Sequence, residues 1–335
     1  MGNQADRHRR RPRNRPMTEA LLHAHKKHVA VLMGGWSAER EVSLVSGAGV
    51  AKALEEEGYR VTAIDVQRDL GGLMQALTNP RPDVVFNALH GRGGEDGTIQ
   101  GVLEFLGLPY THSGVQAAAI AMDKAMTKRL LDTVGIRSPK GMVLSRGEIA
   151  GGVHPMPAPY IVKPVDEGST VGVTLVREGQ NSPVGDDGSF GATFGERVLV
   201  EEFIPGRELT VGVMGDRALT VTEIVFQAQV YDYTAKYSAG HAVHTLPAAI
   251  PEAVAEEAKR VAVLAHQTLG CRGVSRSDFR WDDSRPGTDG LYFLEINNQP
   301  GMTPLSLVPE QAAHVGITYG ALVGWLVENA ACQLA

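Results

Sequence analysis

Four residues in the last quarter of the chain have the types and spacing of a metal and phosphate site. Glu295 and Asn297 stand two apart in FLEINNQPGMT, residues 293–303, and Arg276 and Asp278 stand two apart in SRSDF, residues 275–279. Side chains on a strand alternate faces, so each pair points one way. If the two strands pair, three oxygen-bearing side chains converge with a guanidinium beside them. Hard oxygen ligands in small number suit magnesium, which keeps positions open for phosphate oxygens and water. Three polar residues on strand ends also fit ordinary solvent-facing positions, and spacing alone leaves both readings open.

Two further stretches could handle a nucleotide. In KPVDEGSTVG, residues 163–172, Lys163 stands at a strand end and is followed by Glu167, Gly168, Ser169, Thr170 and Gly172. Backbone N–H groups and hydroxyls of such a loop can close over a triphosphate, or the glycines can simply make a turn. It is not a Walker A loop, since no Gly-Lys-Ser/Thr occurs, and GGWSAE near the start lacks GxGxxG. In VLVEEFIPGRE, residues 198–208, a strand runs into a short hinge that can offer a backbone donor and acceptor to a purine edge, with Glu208 in reach of ribose hydroxyls. A surface hairpin bearing acids is the alternative.

The elements that position these groups follow from periodicity. HVAVLMGG reads as a buried strand ending in glycines, AEREVSLVSGAGVAKALEEEGY as an amphipathic helix, RVTAID and DVVFNALH as strands, and GTIQGVLEFLGLPY as a helix and a short strand. That alternation predicts a parallel α/β sheet with ligands at the carboxyl ends of its strands. Beyond residue 113 the texture becomes α+β: AIAMDKAMTKRLLDTVG is helical, hairpin strands follow to about residue 226, and a polar and aromatic loop, YDYTAKYSAGHAVHTLPAAI, precedes a helix and the two strands of the opening four residues.

Composition sets bounds on function. The 335 residues, 43% hydrophobic and 21% charged, are those of a soluble globular protein of two or three domains. No run approaches the roughly 18 apolar residues of a membrane helix, and no signal-peptide core is present, which predicts a cytoplasmic protein. Cys271 and Cys332 are too few for a disulfide framework or a structural zinc site and read as reduced thiols. The first sixteen residues hold six Arg and one Asp, so the remainder carries −11 of the overall −6. That argues against a nucleic-acid face outside the tail, which reads as a disordered extension or a basic arm; Met17 offers a second start.

These blocks, with Lys124 in AMDK, stand in the order and spacing of the ATP-grasp fold, in which two α+β subdomains grip ATP. GGWSAEREVSLVSG, ALHGRGGEDGTIQG, YDYTAKY and PGMTPLSLVP bring the likeness closer: from about residue 28 to 330 the chain resembles the D-alanine:D-alanine ligase family. The basic tail over 1–27 reads as disordered and lies outside the pattern; the resemblance implies an N-terminal Rossmann-like α/β domain over 28–112, and ATP-grasp subdomains over 113–201 and 202–335. It implies ligation of two D-alanine molecules through D-alanyl phosphate, for peptidoglycan precursors, by a homodimer with neither nucleic-acid nor membrane partners. Glu39 would hold the ammonium of the first D-alanine, with His90, Ser169 and Tyr237 completing the pocket. ATP would be bound by Lys124, Lys163, Glu201, Glu202, Phe203, Glu208 and Lys236, and two Mg²⁺ or Mn²⁺ ions by Asp278, Glu295 and Asn297. Arg276 and the Gly301 N–H would face the tetrahedral oxyanion, while Ser306 and the Leu307 N–H would bind the second carboxylate.

The resemblance also implies that the loop over about 228–247 closes before chemistry, and that Tyr237 favours the dipeptide over the D-lactate ester. The chain departs from the family pattern at His112, where glycine is usual, at the residues before Pro300, and at Pro304. Another ATP-grasp ligase would share the nucleotide residues but not ALHGRGGEDG or YDYTAKY. A nucleotide-binding protein without catalysis should lack one of Arg276, Asp278, Glu295 and Asn297, and all four are present.

Overall fold

The structure, a computed structural model, describes residues 26–167, 172–179, 195–226 and 242–333. Strands β1 (His28–Gly34), β2 (Arg60–Val66) and β3 (Val84–Asn87) form a parallel sheet in the order β2-β1-β3. Helices α1 (Arg40–Glu56), α2 (Leu70–Thr78) and α3 (Thr98–Phe105) alternate with them. The unbroken apolar run of β1 reflects burial on both faces. Val29 and Val31 join Val50 and Leu54 of α1, whereas Ala30 and Leu32 join Leu73 and Leu77 of α2 and Leu103 of α3.

The helical stretch predicted around residues 119–135 is two helices, α4 (Val115–Met122) and α5 (Lys124–Asp132). Asp123 leaves the helical conformation between them, and its Oδ1 accepts the Met126 N–H at 2.8 Å. An N-cap carboxylate restarts the helix and puts Lys124 in its first turn.

The second sheet is antiparallel, with β4 (Gly141–Ser145), β5 (Tyr160–Pro164), β6 (Thr174–Val176) and β7 (Arg197–Glu202) in the order β4-β7-β5-β6. Ile149 of α6 (Arg146–Ala150) packs on Tyr160, Val162 and Val200 of one face, and Ala125 of α5 packs on Leu199 of β7.

The third sheet contains β8 (Arg207–Met214), β9 (Arg217–Phe226), β10 (Ala242–Thr245), β11 (Val274–Trp281) and β12 (Leu291–Asn297), in the order β10-β9-β8-β11-β12. Its apolar face holds Leu209, Val211, Phe279 and Phe293 against Val254, Ala258 and Val261 of α7 (Glu252–Thr268). Two helices end the fold, α8 (Leu307–His314) and α9 (Tyr319–Glu328). Leu322, Val323 and Leu326 of α9 pack with Val50, Leu54 and Phe86, so the chain end returns to the first sheet.

The α/β-then-α+β expectation holds. Elements α2, α6, α8, α9 and β4 are absent from the sequence reading, and β10 forms within the stretch read as a polar and aromatic loop. Residues 1–25 of the basic tail, the stretch 168–171 and most of the 228–247 loop lie outside the described residues.

One irregularity matters for the site. The β11–β12 ladder pairs Asp278 with Glu295 and then Phe279 with Phe293, so Leu294 has no opposite number. This bulge reverses the alternation of β12. Leu291 and Phe293 lie in the core before it and Ile296 after it. Without that extra residue Glu295 would share the core face of Phe293; with it, Glu295 and Asn297 turn to the opposite face.

Candidate active site

The four side chains that opened the sequence analysis are brought together. Asp278 lies opposite Glu295, and Arg276 opposite Asn297. Arg276 grips Asp278 with two bonds, Nε to Oδ1 and Nη2 to Oδ2, each 3.0 Å. Thr210 of β8 donates to Asp278 Oδ1 at 2.6 Å, and Glu295 Oε2 lies 3.6 Å from Lys124 Nζ. Asn297 Oδ1 accepts the Gln299 N–H at 3.0 Å. Among the described residues no group of three or more His, Cys, Asp or Glu side chains is placed to hold a metal ion. A cation here would therefore rest on two carboxylates and an amide. That all-oxygen, incomplete donor set fits Mg²⁺ or Mn²⁺, with phosphate oxygens and water filling the remaining positions.

Helix α5 links this face to the second sheet. Lys124 and Lys128 are one turn apart and share a helix face. Lys124 Nζ donates to the Glu167 carbonyl at 2.5 Å, while Lys128 is bonded to Glu201. Glu201, with its side chain 3% exposed, also meets Lys163 Nζ at 2.5 Å. Burial alone would push the Glu201 carboxyl up, but Lys128 and Lys163 outweigh it and hold it at about 2. Burial brings Lys128 down to about 8, because the attraction of Glu201 is partly cancelled by Lys163. Two cations share one anion, leaving a surplus positive charge suited to a phosphate.

The hinge after β7 is partly engaged. Glu202 N–H donates to Lys140 O at 2.9 Å and Phe203 N–H to Pro159 O at 3.3 Å. The Phe203 ring lies under Arg280, and Arg280 Nη1 stands 3.8 Å from Glu208.

Glu39 immediately precedes α1, yet its side chain makes no capping bond, so helix capping does not account for it. Gly91 has φ +68°, and a Cβ there would lie 2.8 Å from Glu39 Oε2; glycine is what lets this loop pass so close. Next to it His90 is 6% exposed, with Nδ1 2.9 Å from Glu95 Oε1 and Nε2 3.2 Å from Ser46 Oγ. Burial, and then the charge of Glu95, push the Glu39 carboxyl up to about 7; Glu167 adds to the rise, while His90 and Lys124 oppose it. For His90, burial disfavours the imidazolium, but the hydrogen bond and charge of Glu95, with Glu39, raise its pKa overall. Three carboxylates thus crowd one imidazole and one lysine. Negative charge outweighs positive here, and an ammonium group would redress the balance.

Beyond Asn297 the turn leads to Gly301, where a Cβ would come within 3.2 Å of Ser306 Oγ. Ser306 occupies the N-cap of α8, and its Oγ accepts the Thr303 N–H at 3.0 Å. Leu307 is the first residue of that helix, a position whose N–H has no acceptor within the helix and suits a carboxylate.

The D-ala D-ala ligase C-terminus family matches residues 136–328, and the D-ala D-ala ligase N-terminus family matches 28–76 and 71–113. The chain belongs to the D-alanine–D-alanine ligase family. It is 57% identical over 308 residues to the D-alanine–D-alanine ligase of Chelativorans sp. (strain BNC1), covering 92% of this chain and 99% of the relative. The identity to the ligase of Paramagnetospirillum magneticum is also 57%, with the same coverage. Among solved structures, the D-alanine–D-alanine ligase of Bacillus anthracis complexed with ATP aligns with a TM-score of 0.74 and 29% identity, covering 91% of this chain and 96% of that one.

Of the residues expected from the D-alanine–D-alanine ligase resemblance, Ser169, Lys236 and Tyr237 lie outside the described residues. His112 has φ +67°, the left-handed region, which is the physical reason glycine is usual there. Burial, with His90 and Arg272 adding, brings its imidazole down to about 3, so it is neutral. Sequence reading missed Lys128, Glu95 and Ser46. The Lys-x-x-x-Lys spacing of KAMTK signals the first, but nothing in the sequence names Glu201 as its partner.

Proposed function

We propose that the protein joins two molecules of D-alanine into D-alanyl-D-alanine, with ATP converted to ADP and phosphate by way of D-alanyl phosphate. What supports this most is a cation-poor carboxylate cluster around Glu39 beside a phosphate-suited group of Lys124, Lys163, Asp278 and Glu295, with Lys124 3.6 Å from Glu295 and near enough to Glu39 to lower its pKa. Glu39 binds the ammonium of the first D-alanine beside His90. Its carboxylate cannot accept an amine directly, because the oxygen is a poor leaving group, so a carboxylate oxygen attacks the γ-phosphorus and ADP departs. Lys124 and Lys163 offset charge on the transferring group. Asp278, Glu295 and Asn297 would hold Mg²⁺ or Mn²⁺, two ions, which when bound neutralise phosphoryl oxygens. The amine of the second D-alanine, held by Ser306 and the Leu307 N–H, attacks the acyl carbonyl. Arg276 and the Gly301 N–H stabilise the oxyanion, which collapses with loss of phosphate.

Adenine lies at the Glu201–Phe203 hinge with Glu208 at the ribose. Because the N–H groups of Glu202 and Phe203 are engaged, the donor to the purine is the next one, that of Ile204. Ser169, Lys236 and Tyr237 belong to the part that shields the acylphosphate from water. The same reading divides the chain at about residues 112 and 201. It places the protein in the cytoplasm; none of the described helices is long and apolar enough to cross a membrane. It also makes the protein a homodimer, for which Leu70 and Phe105, 61% and 85% exposed, offer apolar contact.

Phosphate release from ATP should require D-alanine, should not respond to L-alanine, and should match dipeptide formation one for one. Release indifferent to D-alanine rejects the reading. Arg276→Ala should lower kcat on the order of 10²- to 10³-fold, as loss of one oxyanion donor does. Because Glu39 must be ionised to hold an ammonium, kcat/KM for D-alanine should rise with pH around a midpoint of about 7.

A further inference from the structure

Asn87, the last residue of β3, and Gln299, two residues beyond β12, meet between the first and third sheets. They are 0% and 1% exposed. Asn87 Nδ2 donates to Gln299 Oε1 at 2.8 Å and to the Gly94 carbonyl at 2.9 Å, and its Oδ1 accepts the Leu89 N–H at 3.2 Å. Gln299 Nε2 donates to the Leu89 carbonyl. Beside it, Asn298 Nδ2 donates to the Glu95 carbonyl at 3.2 Å. Asn87 therefore closes the 87–95 loop on itself, and the amides of Asn298 and Gln299 fasten that loop to the segment between Asn297 and Gly301.

Buried amides are costly unless bonded, and both ends of the Gln299 side chain are satisfied, so its position is strongly determined. Pro300 follows, and its ring restricts φ. Little slack then separates the Gln299 anchor from the Gly301 N–H. On the other side of the anchor, the loop it holds carries His90 and Glu95.

We propose that Gln299 is a positioning residue, which through Asn87 and Leu89 sets the His90–Glu95 loop against the Gly301 N–H and so fixes the first D-alanine relative to the oxyanion donors. This rests on the functional reading above. Gln299 touches no reacting atom in that reading; of the nucleotide side only the metal ligand Asn297 is near it, and Asn297 Oδ1 accepts the backbone N–H of residue 299, which neither Gln299→Met nor Gln299→Asn removes.

The test compares kcat and KM for D-alanine and for ATP in the wild type, Gln299→Met and Gln299→Asn, well below their measured melting temperatures. Gln299→Met keeps the length and removes the amide; Gln299→Asn keeps an amide one methylene too short to reach both partners and is the milder change for folding. Loss of the buried bonds should raise KM for D-alanine about tenfold or more in both variants, with KM for ATP changed by less than about twofold. A lower kcat with both KM values in place, as partial unfolding alone gives, overturns the proposal. Wild-type D-alanine constants in the variants, or parallel changes for both substrates, overturn the proposal and leave the functional reading standing. A wild-type protein that makes no dipeptide removes the functional reading and this inference with it.

Discussion

Glu39→Gln is expected to lower kcat/KM for D-alanine about a hundredfold or more and, in the same protein, to raise the melting temperature at about pH 8. The first effect follows from removing the anion that pairs with the substrate ammonium, since breaking a desolvated charge pair costs roughly 2–5 kcal/mol. The second follows from proton linkage. The Glu39 carboxyl titrates at about 7 in the folded protein instead of its ordinary 4.5, owing first to burial and then to Glu95. Between those values the folded state holds a proton that the unfolded chain has released, so stability falls as pH rises through the window. The full cost, on the order of 3 kcal/mol, is present above about pH 7. A neutral amide avoids it, so the gain should be clear at about pH 8 and vanish near pH 4. Thermal unfolding across pH, set beside D-alanine kinetics, checks both halves. An inactive variant without a pH-dependent gain would mean that the carboxylate is not strained in the free protein.

Glu201→Gln should be the most destabilising single change at the site, by about 3–5 kcal/mol, the usual effect of removing one partner from a buried ion pair. It strands Lys128 and Lys163, whose side chains are 11% and 7% exposed, without their shared counter-charge. In the wild type, burial already holds Lys128 at about 8. Without Glu201 its folded pKa falls further, so the variant sheds that proton at a pH where the wild type keeps it. The deficit should therefore be largest near pH 6 and shrink toward pH 9. Denaturant unfolding at those two values tests the sign. An equal deficit at both would argue that lost packing, not stranded charge, is the cause. ATP affinity should fall as well, because the lysines lose their alignment.

Much of this site is legible in the chain before it folds, for local reasons. Strand alternation puts Arg276 with Asp278 and Glu295 with Asn297, and helical periodicity puts Lys124 with Lys128. The glycines of HGRGG mark a loop that must approach other groups closely. These are consequences of backbone geometry over a few residues, which any chain with those residues would share.

Other features depend on which distant segments meet, and no local rule states that. Strict alternation along β12 would place Phe293 and Glu295 on one face; the bulge at Leu294 separates them, and it exists because β11 offers one residue fewer across the ladder. Glu201 could be read as a nucleotide contact, but only the docking of α5 on the second sheet makes it the anion between two lysines. Asn87 and Gln299 carry no sign of each other across 212 residues. The sequence by itself determined side-chain type and spacing, hence the chemistry available; the tertiary structure alone decided the partners, because desolvation and pairing energies depend on distance in space and not on distance along the chain.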